Sequence, residues 1–267
     1  SYGDSERGVV LDLSDSAKNI GDAAGDTFES IEKYEGSKHT DVMRGTEGDD
    51  VLHGNGGTDS LHGKGGNDTL TIQGGFAYGD EGNDTITVEN GIAGHVVRLY
   101  GGEGDDTLTG GVENTFIVGG SGADIIDGGE GRDTVSYASS DAGVYVNLTN
   151  GKARGGEAAG DTVVNVENVV GSNFNDELRG SGEVNSLSGG KGDDILSGAV
   201  GGDDLSGGAG NDTVDYHYSN EGVKVDLSLQ AKGASGRGKQ DGAGGHAEGD
   251  ILSGIENIKG SKFDDEL

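Results

Sequence analysis

The sequence predicts an all-β solenoid, in which blocks of stacked short strands are separated by β-rich capping units. Three observations carry this expectation: a nine-residue period, a composition that cannot build an ordinary core, and a second, longer repeat. Residues 36–71 repeat every nine residues without a gap. Units 45–53, 54–62 and 63–71 each place glycine at positions one and four, Asp at six and an aliphatic residue at eight. Such a period is too short for a helical repeat. One unit is a tight turn plus a very short strand, and only stacking buries its single apolar side chain.

Composition bounds the rest. Against 49 Asp+Glu stand 18 Lys+Arg, a net charge of −31, and only 30% of residues are hydrophobic. A chain this acidic and this poor in large apolar groups stays disordered unless something cancels the charge. The strict period favours folding on cancellation, because disorder needs no phase. Such charge excludes direct binding to nucleic acid or to an anionic membrane surface and favours cations. The absence of cysteine rules out a disulfide framework and thiolate metal sites. No apolar run approaches the roughly 20 residues that span a bilayer, and no signal peptide is visible at Ser1. The chain starts and stops inside motifs, so we expect a segment of a longer protein.

The layout in order is a capping unit at 1–44, a repeat block at 45–136, a capping unit at 137–179, a second block at 180–220, and a truncated capping unit at 221–267. Block one adds units 79–87, 101–109, 119–127 and 128–136; block two holds 189–197, 198–206 and 207–215. Units 110–118 and 180–188 keep the spacing but carry Thr115 and Asn185 at the Asp position. The irregular stretches 72–78 and 88–100, with alternating Phe76, Tyr78 and Val97, Leu99, read as longer strands or covering loops.

The caps recur as a long repeat. Gly8-Val9-Val10-Leu11-Asp12-Leu13 matches Gly143–Leu148 and Gly222–Leu227. Each is followed by Gly25-Asp26, Gly160-Asp161 or Gly249-Asp250, and each ends at Gly36-Ser37, Gly171-Ser172 or Gly260-Ser261. Gly-Asp to Gly-Ser is 11 residues in all three, whereas the first leg is 17, 17 and 27. The ten extra residues must loop out within 228–248, a basic stretch with Lys232, Arg237 and Lys239. Alternating Val and Leu read as strands with one buried face that close the ends of the solenoid.

Glycines let the first six residues of a unit turn sharply, and the last three extend with position eight inward. Successive strands then fall on opposite faces, and units two apart stack on one edge. Their turns meet there, with Asp41 over Asp59, Asp50 over Asp68, Asp106 over Asp124, and Asp176, Asp194 and Asp212 in succession. Asp84, Asp133 and Asp203 hold the same position in their units, as does Asp265 in the truncated one. Carboxylates surrounded by the carbonyls of Gly48, Gly57, Gly66, Gly102, Gly104, Gly120, Gly122, Gly129, Gly190, Gly192 and Gly208 make an all-oxygen cage. Such a flexible cage selects Ca²⁺; Mg²⁺ holds its waters too tightly, and zinc or copper want His or Cys. One buried aliphatic per nine residues does not offset the backbone entropy of those nine. Ion binding is therefore expected to be folding.

Other residues receive plainer readings. The fifth-position acids Asp49, Asp105 and Asp193 read as solvent-facing charge. His39, His53 and His62 read as surface histidines, and Tyr2, Tyr137, Tyr216 and Tyr218 as packing residues. No paired carboxylates, nucleophile–base set or HExxH run marks an enzyme. Ice binding would want regular threonine ranks, and Thr69, Thr71, Thr85, Thr87, Thr107 and Thr109 look broken along the chain.

The consecutive nonapeptides resemble the RTX (repeat-in-toxin) family of bacterial secreted proteins, and the cap signature from Asp133 to Ser172 resembles the segments between repeat blocks in adenylate cyclase toxins and large repeat adhesins. That resemblance implies a parallel, calcium-loaded β-roll and export through a type I secretion channel. It also implies folding outside the cell, at extracellular calcium near the weak-site range of about 10⁻⁴–10⁻³ M. It implies a non-catalytic, monomeric module of a toxin or adhesin at the cell surface or beyond, reaching a host-cell surface or glycan through its parent protein. The alternative is the calcium-binding tail of a secreted enzyme, such as a polysaccharide epimerase, glycanase, protease or lipase. What precedes Ser1 in the gene separates the two.

Overall fold

A computed structural model describes residues 1–29, 31, 33–230 and 242–267. Among these there is no α-helix, only short 3-10 turns, and no helix long and apolar enough to cross a membrane. Most of the basic stretch at 228–248, with Lys232, Arg237 and Lys239, lies outside the described residues. The chain forms two compact units, Ser1–Asp133 and Thr134–Leu267. Each is a parallel β-roll.

In the first unit the strands in chain order are β1 (Val10–Asp12), β2 (Tyr34–Glu35), β3 (Val42–Arg44), β4 (Val51–His53), β5 (Asp59–Gly65) and β6 (Thr69–Ile72). They continue with β7 (Gly75–Glu81), β8 (Thr85–Val88), β9 (Val97–Glu103), β10 (Thr107–Thr109), β11 (Thr115–Ser121) and β12 (Ile125–Asp127). Odd strands form one sheet in the order β1-β3-β5-β7-β9-β11, and even strands form the other. Every nine-residue step therefore crosses to the opposite sheet, as the period requires. Register is fixed by position: Leu52 pairs with Leu70, Leu70 with Ile86 and Ile86 with Leu108. These eighth-position side chains, with Met43, Leu61, Ile117 and Ile126, are fully buried between the sheets.

The irregular stretches hold the starts of two longer strands, with residues 89–96 forming the loop that leads into the second. β7 and β9 are seven residues each and bury Ala77 and Leu99 where a repeat would bury its aliphatic. Both belong to the odd sheet, so they interrupt the repeat on one edge only. The even sheet receives unbroken ranks as a result: Thr69, Thr85 and Thr107 are direct neighbours, as are Thr71, Thr87 and Thr109. The gaps that separate these threonines in sequence are spent in the other sheet. The ranks run three strands before Val51 and His53 on one side and Ile125 and Asp127 on the other replace them.

The second unit holds β13 (Thr134–Ser136), β14 (Tyr145–Asn147), β15 (Lys152–Arg154), β16 (Thr162–Val164), β17 (Asn168–Val170), β18 (Glu177–Arg179) and β19 (Ser186–Lys191). It continues with β20 (Ile195–Ser197), β21 (Asp204–Ala209), β22 (Thr213–Asp215), β23 (Lys224–Val225), β24 (Gly242–Ala243), β25 (Ile251–Ser253) and β26 (Asn257–Lys259). One sheet runs β13-β17-β19-β21-β25 and the other carries β14-β18-β20-β22-β26. β15 joins β14 antiparallel and β16 joins β15 antiparallel, while β23 and β24 pair antiparallel as a two-stranded sheet of their own, so the departures fall in the capping segments.

The caps share one set of bonds. The Tyr2, Tyr137 and Tyr216 hydroxyls donate to the Asp of the Gly-Asp pair, Asp26 (2.6 Å), Asp161 (2.9 Å) and Asp250 (2.9 Å). Tyr137 and Tyr216 are buried, as packing residues should be, whereas Tyr218 is exposed. The tyrosine–Asp separations are 24, 24 and 34 residues, so the third cap absorbs its ten-residue excess without losing the contact.

Candidate metal centre

Apart from the turn of Thr115, whose second residue Gly111 is not left-handed, the turns that carry the sixth-position residue fall into two kinds, sorted by the second residue of each unit. In open turns this residue has a left-handed backbone: Asn55, Lys64, Asp80 and Ala199 at φ 66°, 83°, 76° and 75°, and Gly102, Gly120, Gly129, Gly190 and Gly208 between 91° and 125°. In closed turns it is Ser37, Thr46, Ser172, Ser181 or Ser261, and none of these is left-handed.

The sixth-position Asp is buried in the open turns and in the closed turns of Asp41, Asp50 and Asp176, but it is bonded differently. Within a closed turn the carboxylate is held by its own unit. Ser37 N donates to Asp41 Oδ2 at 2.6 Å and its hydroxyl reaches Oδ1 at 2.9 Å. Thr46 N and Oγ1 donate to Asp50 Oδ2 at 2.6 and 2.9 Å. Ser172 N reaches Asp176 Oδ2 at 2.6 Å and its hydroxyl Oδ1 at 2.8 Å. Within an open turn that bond is missing. Oδ2 of Asp59, Asp68, Asp84, Asp106, Asp194, Asp203 and Asp212 is buried without a hydrogen-bond partner, and each of these residues is at most 2% exposed. A buried carboxylate oxygen with no donor is costly.

The other oxygen, Oδ1, builds a ladder between turns two units apart. On the even edge Asp50 N donates to Asp68 Oδ1, Asp68 N to Asp84, Asp84 N to Asp106 and Asp106 N to Asp124, at 2.7–2.9 Å. Asp41 N reaches Asp59 Oδ1 at 3.0 Å on the odd edge, where the run then stops on the Gly74 carbonyl. Thr115 N resumes it to Asp133 at 2.6 Å. The second unit repeats the device through Asp176, Asp194 and Asp212, and through Asn185, Asp203 and Asp250. Every same-edge pair expected from the period is therefore brought together. Thr115 and Asn185 keep the ladder donor although they lack the carboxylate.

First-position glycines are required by this packing. A Cβ on Gly63 would stand 2.0 Å from Asp68 Oδ2 and 2.7 Å from the Gly79 carbonyl oxygen; on Gly101 it would meet Asp106 Oδ2 at 2.1 Å and Gly119 O at 2.4 Å. Carboxylate and carbonyl oxygens thus crowd one face of the turn. Of the carbonyl-bearing glycines expected at position four, Gly57, Gly66, Gly104, Gly122 and Gly192 are left-handed; Gly48, in a closed turn, is not, and its carbonyl accepts from the Thr46 hydroxyl at 3.3 Å.

Burial pushes the carboxyls of Asp59, Asp68, Asp106 and Asp194 up to about 7 and Asp203 to about 6, and raises Asp84 and Asp212. Neighbouring acids add to the rise for Asp59, Asp68, Asp106 and Asp194. Ionised side chains here are short of positive charge. Among the described residues no three His, Cys, Asp or Glu side chains cluster as a metal cage. An ion on these edges would take carboxylate and main-chain carbonyl oxygens, a hard donor set that suits Ca²⁺. The residues present fit that ion.

The fifth-position residues do more than the sequence suggested. They are exposed, yet they form a second ladder of opposite direction. Asn67 N donates to Asp49 Oδ1, Asn83 N to Asn67, Asp105 N to Asn83 and Ala123 N to Asp105, at 2.7–2.8 Å. The recurrence of Asp or Asn at this position, in Asp49, Asn67, Asn83 and Asp105, was the available signal. His53 and His62 sit in opposite sheets, and His62 stacks on Tyr78 at 4.4 Å.

Comparison with known families agrees with this geometry. The family model of the RTX calcium-binding nonapeptide repeat matches residues 35–70, 76–92, 100–135, 170–205 and 179–214, together half of the chain. No curated protein matches it.

Proposed function

Because the chain belongs to the RTX calcium-binding nonapeptide repeat family, we propose that this calcium-binding β-roll is a non-catalytic module whose folding is driven by calcium outside the cell. The observation that carries the reading is the row of buried Oδ2 atoms at Asp59, Asp68, Asp84, Asp106, Asp194, Asp203 and Asp212. A bound Ca²⁺ supplies the positive charge that these carboxylates otherwise lack. Glycine carbonyls of the open turns complete its oxygen shell, and the ladders tie each carboxylate to the next turn. Without the ion, several ionised groups would share a dry edge, a state less stable than the open chain.

Secretion through a type I channel, and residence in a toxin or adhesin, follow from the family's habit. An acidic chain that stays open at low calcium suits passage through a narrow channel. The deciding experiment is a calcium titration followed by circular dichroism, with magnesium as control. We expect a disordered spectrum in chelator and a cooperative rise of β signal with calcium but not with magnesium. A β spectrum unchanged by chelator would remove the reading.

A further inference from the structure

The two kinds of turn assign where the ions go. Building on the calcium reading above, we propose that a second-position serine or threonine takes the place of the cation, so that the turns of Asp41, Asp50 and Asp176 hold no calcium.

One atom, Asp Oδ2, sorts the turns. Each of the seven Asp Oδ2 atoms named above as partnerless lies in a turn whose second residue is left-handed. Where the second residue is Ser or Thr, the backbone leaves that region, and its N–H and hydroxyl both reach the carboxylate. Two donors on one carboxylate satisfy it without a metal. The chain contains its own control. Ser181 makes the same closed turn around Asn185, at 2.7 Å from its N–H and 3.3 Å from its hydroxyl. A neutral amide does there what Asp41 and Asp176 do elsewhere. Negative charge is therefore dispensable in a closed turn, which is opposite to what a metal ligand needs.

Placement gives the sorting a purpose. Closed turns come in consecutive pairs, Ser37 with Thr46 and Ser172 with Ser181, and each pair directly precedes a run of open turns. Ser261 closes the turn around Asp265 by a 2.6 Å hydroxyl bond, following the third cap. Each run of open turns is thus preceded by one ion-free turn per edge. The first carboxylates of the ladders, Asp41 and Asp176, also accept from the cap strands, through Val9 N and Val144 N at 2.7 Å. Cap and repeat are joined there by protein bonds alone.

The test counts ions on the full 267-residue chain by native mass spectrometry in calcium, with circular dichroism to confirm the fold. Asp41→Asn and Asp176→Asn are expected to keep the wild-type count and to shift the calcium midpoint less than twofold. Asp68→Asn and Asp194→Asn are expected to lose at least one ion each. Loss of an ion in Asp41→Asn or Asp176→Asn overturns the assignment. Should Asp68→Asn and Asp194→Asn fail to fold, Ser172→Gly decides: removing the hydroxyl and freeing the backbone should add one ion, and an unchanged count overturns the assignment. A wild-type chain that binds no calcium refutes the underlying calcium reading instead, so the two failures are told apart.

Discussion

The turns at 36–41 and 63–68 share a first glycine and a sixth Asp, and both bury that Asp between the same kinds of strand. They differ at positions two to five, Ser37-Lys38-His39-Thr40 against Lys64-Gly65-Gly66-Asn67, and the second position is the one whose own atoms reach the carboxylate or leave it. With Ser37, both carboxylate oxygens of Asp41 meet donors of their own turn. With Lys64 at φ 83°, Asp68 Oδ2 is buried with none. Two copies of one repeat can thus carry the same acid for different purposes, one to lock a turn and the other to wait for a charge.

The sharpest way to break this comparison is glycine replacement at position four. Gly66 is left-handed at φ 99°, and a Cβ there would lie 2.5 Å from the Gly48 carbonyl carbon. Gly66→Ala is expected to cost about 3 kcal/mol. At Gly48 the nearest atom is 3.9 Å away, so Gly48→Ala should stay within about 0.5 kcal/mol. Urea melts in saturating calcium measure both, and equal costs would end the distinction. Next is Asp84→Ala on the even edge, which also leaves Asp68 N–H without its acceptor. The loss of about 1–3 kcal/mol should raise the calcium midpoint at least about fivefold.

Acidity separates the open turns further. Asp68, Asp106 and Asp194 are raised to about 7 in the folded, ion-free chain, against about 3.9 unfolded. Between these values the folded chain binds protons that the unfolded chain does not. The ion-free fold is therefore favoured most below about pH 4, and this contribution is lost as pH rises through 7. In chelator, circular dichroism should show more β signal at about pH 5 than at pH 8, and the calcium midpoint should rise on acidification as protons compete. A β signal in chelator that is flat across this range would contradict the account. The smallest expected effect is at the lock. Ser37→Ala removes a hydroxyl bond to Asp41, costing about 1 kcal/mol with no change in the number of ions bound, as read by thermal melting and ion counting.

Much of this was legible in the sequence. A nine-residue period with one aliphatic residue fixes two parallel sheets, because consecutive units must alternate faces. The same rule places Asp41 by Asp59 and Asp50 by Asp68. The second residue was read only as part of a glycine-rich turn, because its influence is a backbone rotation that Asn55, Lys64 and Ala199 adopt without being glycine. The threonine ranks were hidden for a topological reason, since β7 and β9 consume the intervening chain in the other sheet. The Tyr137–Asp161 and Tyr216–Asp250 contacts were spelled by the cap spacing. They were missed because a bond across 24 or 34 residues has no local pattern.

The direction of the carboxylate ladder reaches beyond any one turn. Asp50 N–H finds its acceptor on Asp68, 18 residues later, and Asp203 and Asp212 find theirs on Asp250 and Glu256. Each turn is finished by chain that lies downstream of it. Read from its N-terminus, the molecule is an unfinished sentence whose every clause awaits a later word. A ribosome that delivers it in that order completes each carboxylate bond only when the turn two units later has arrived.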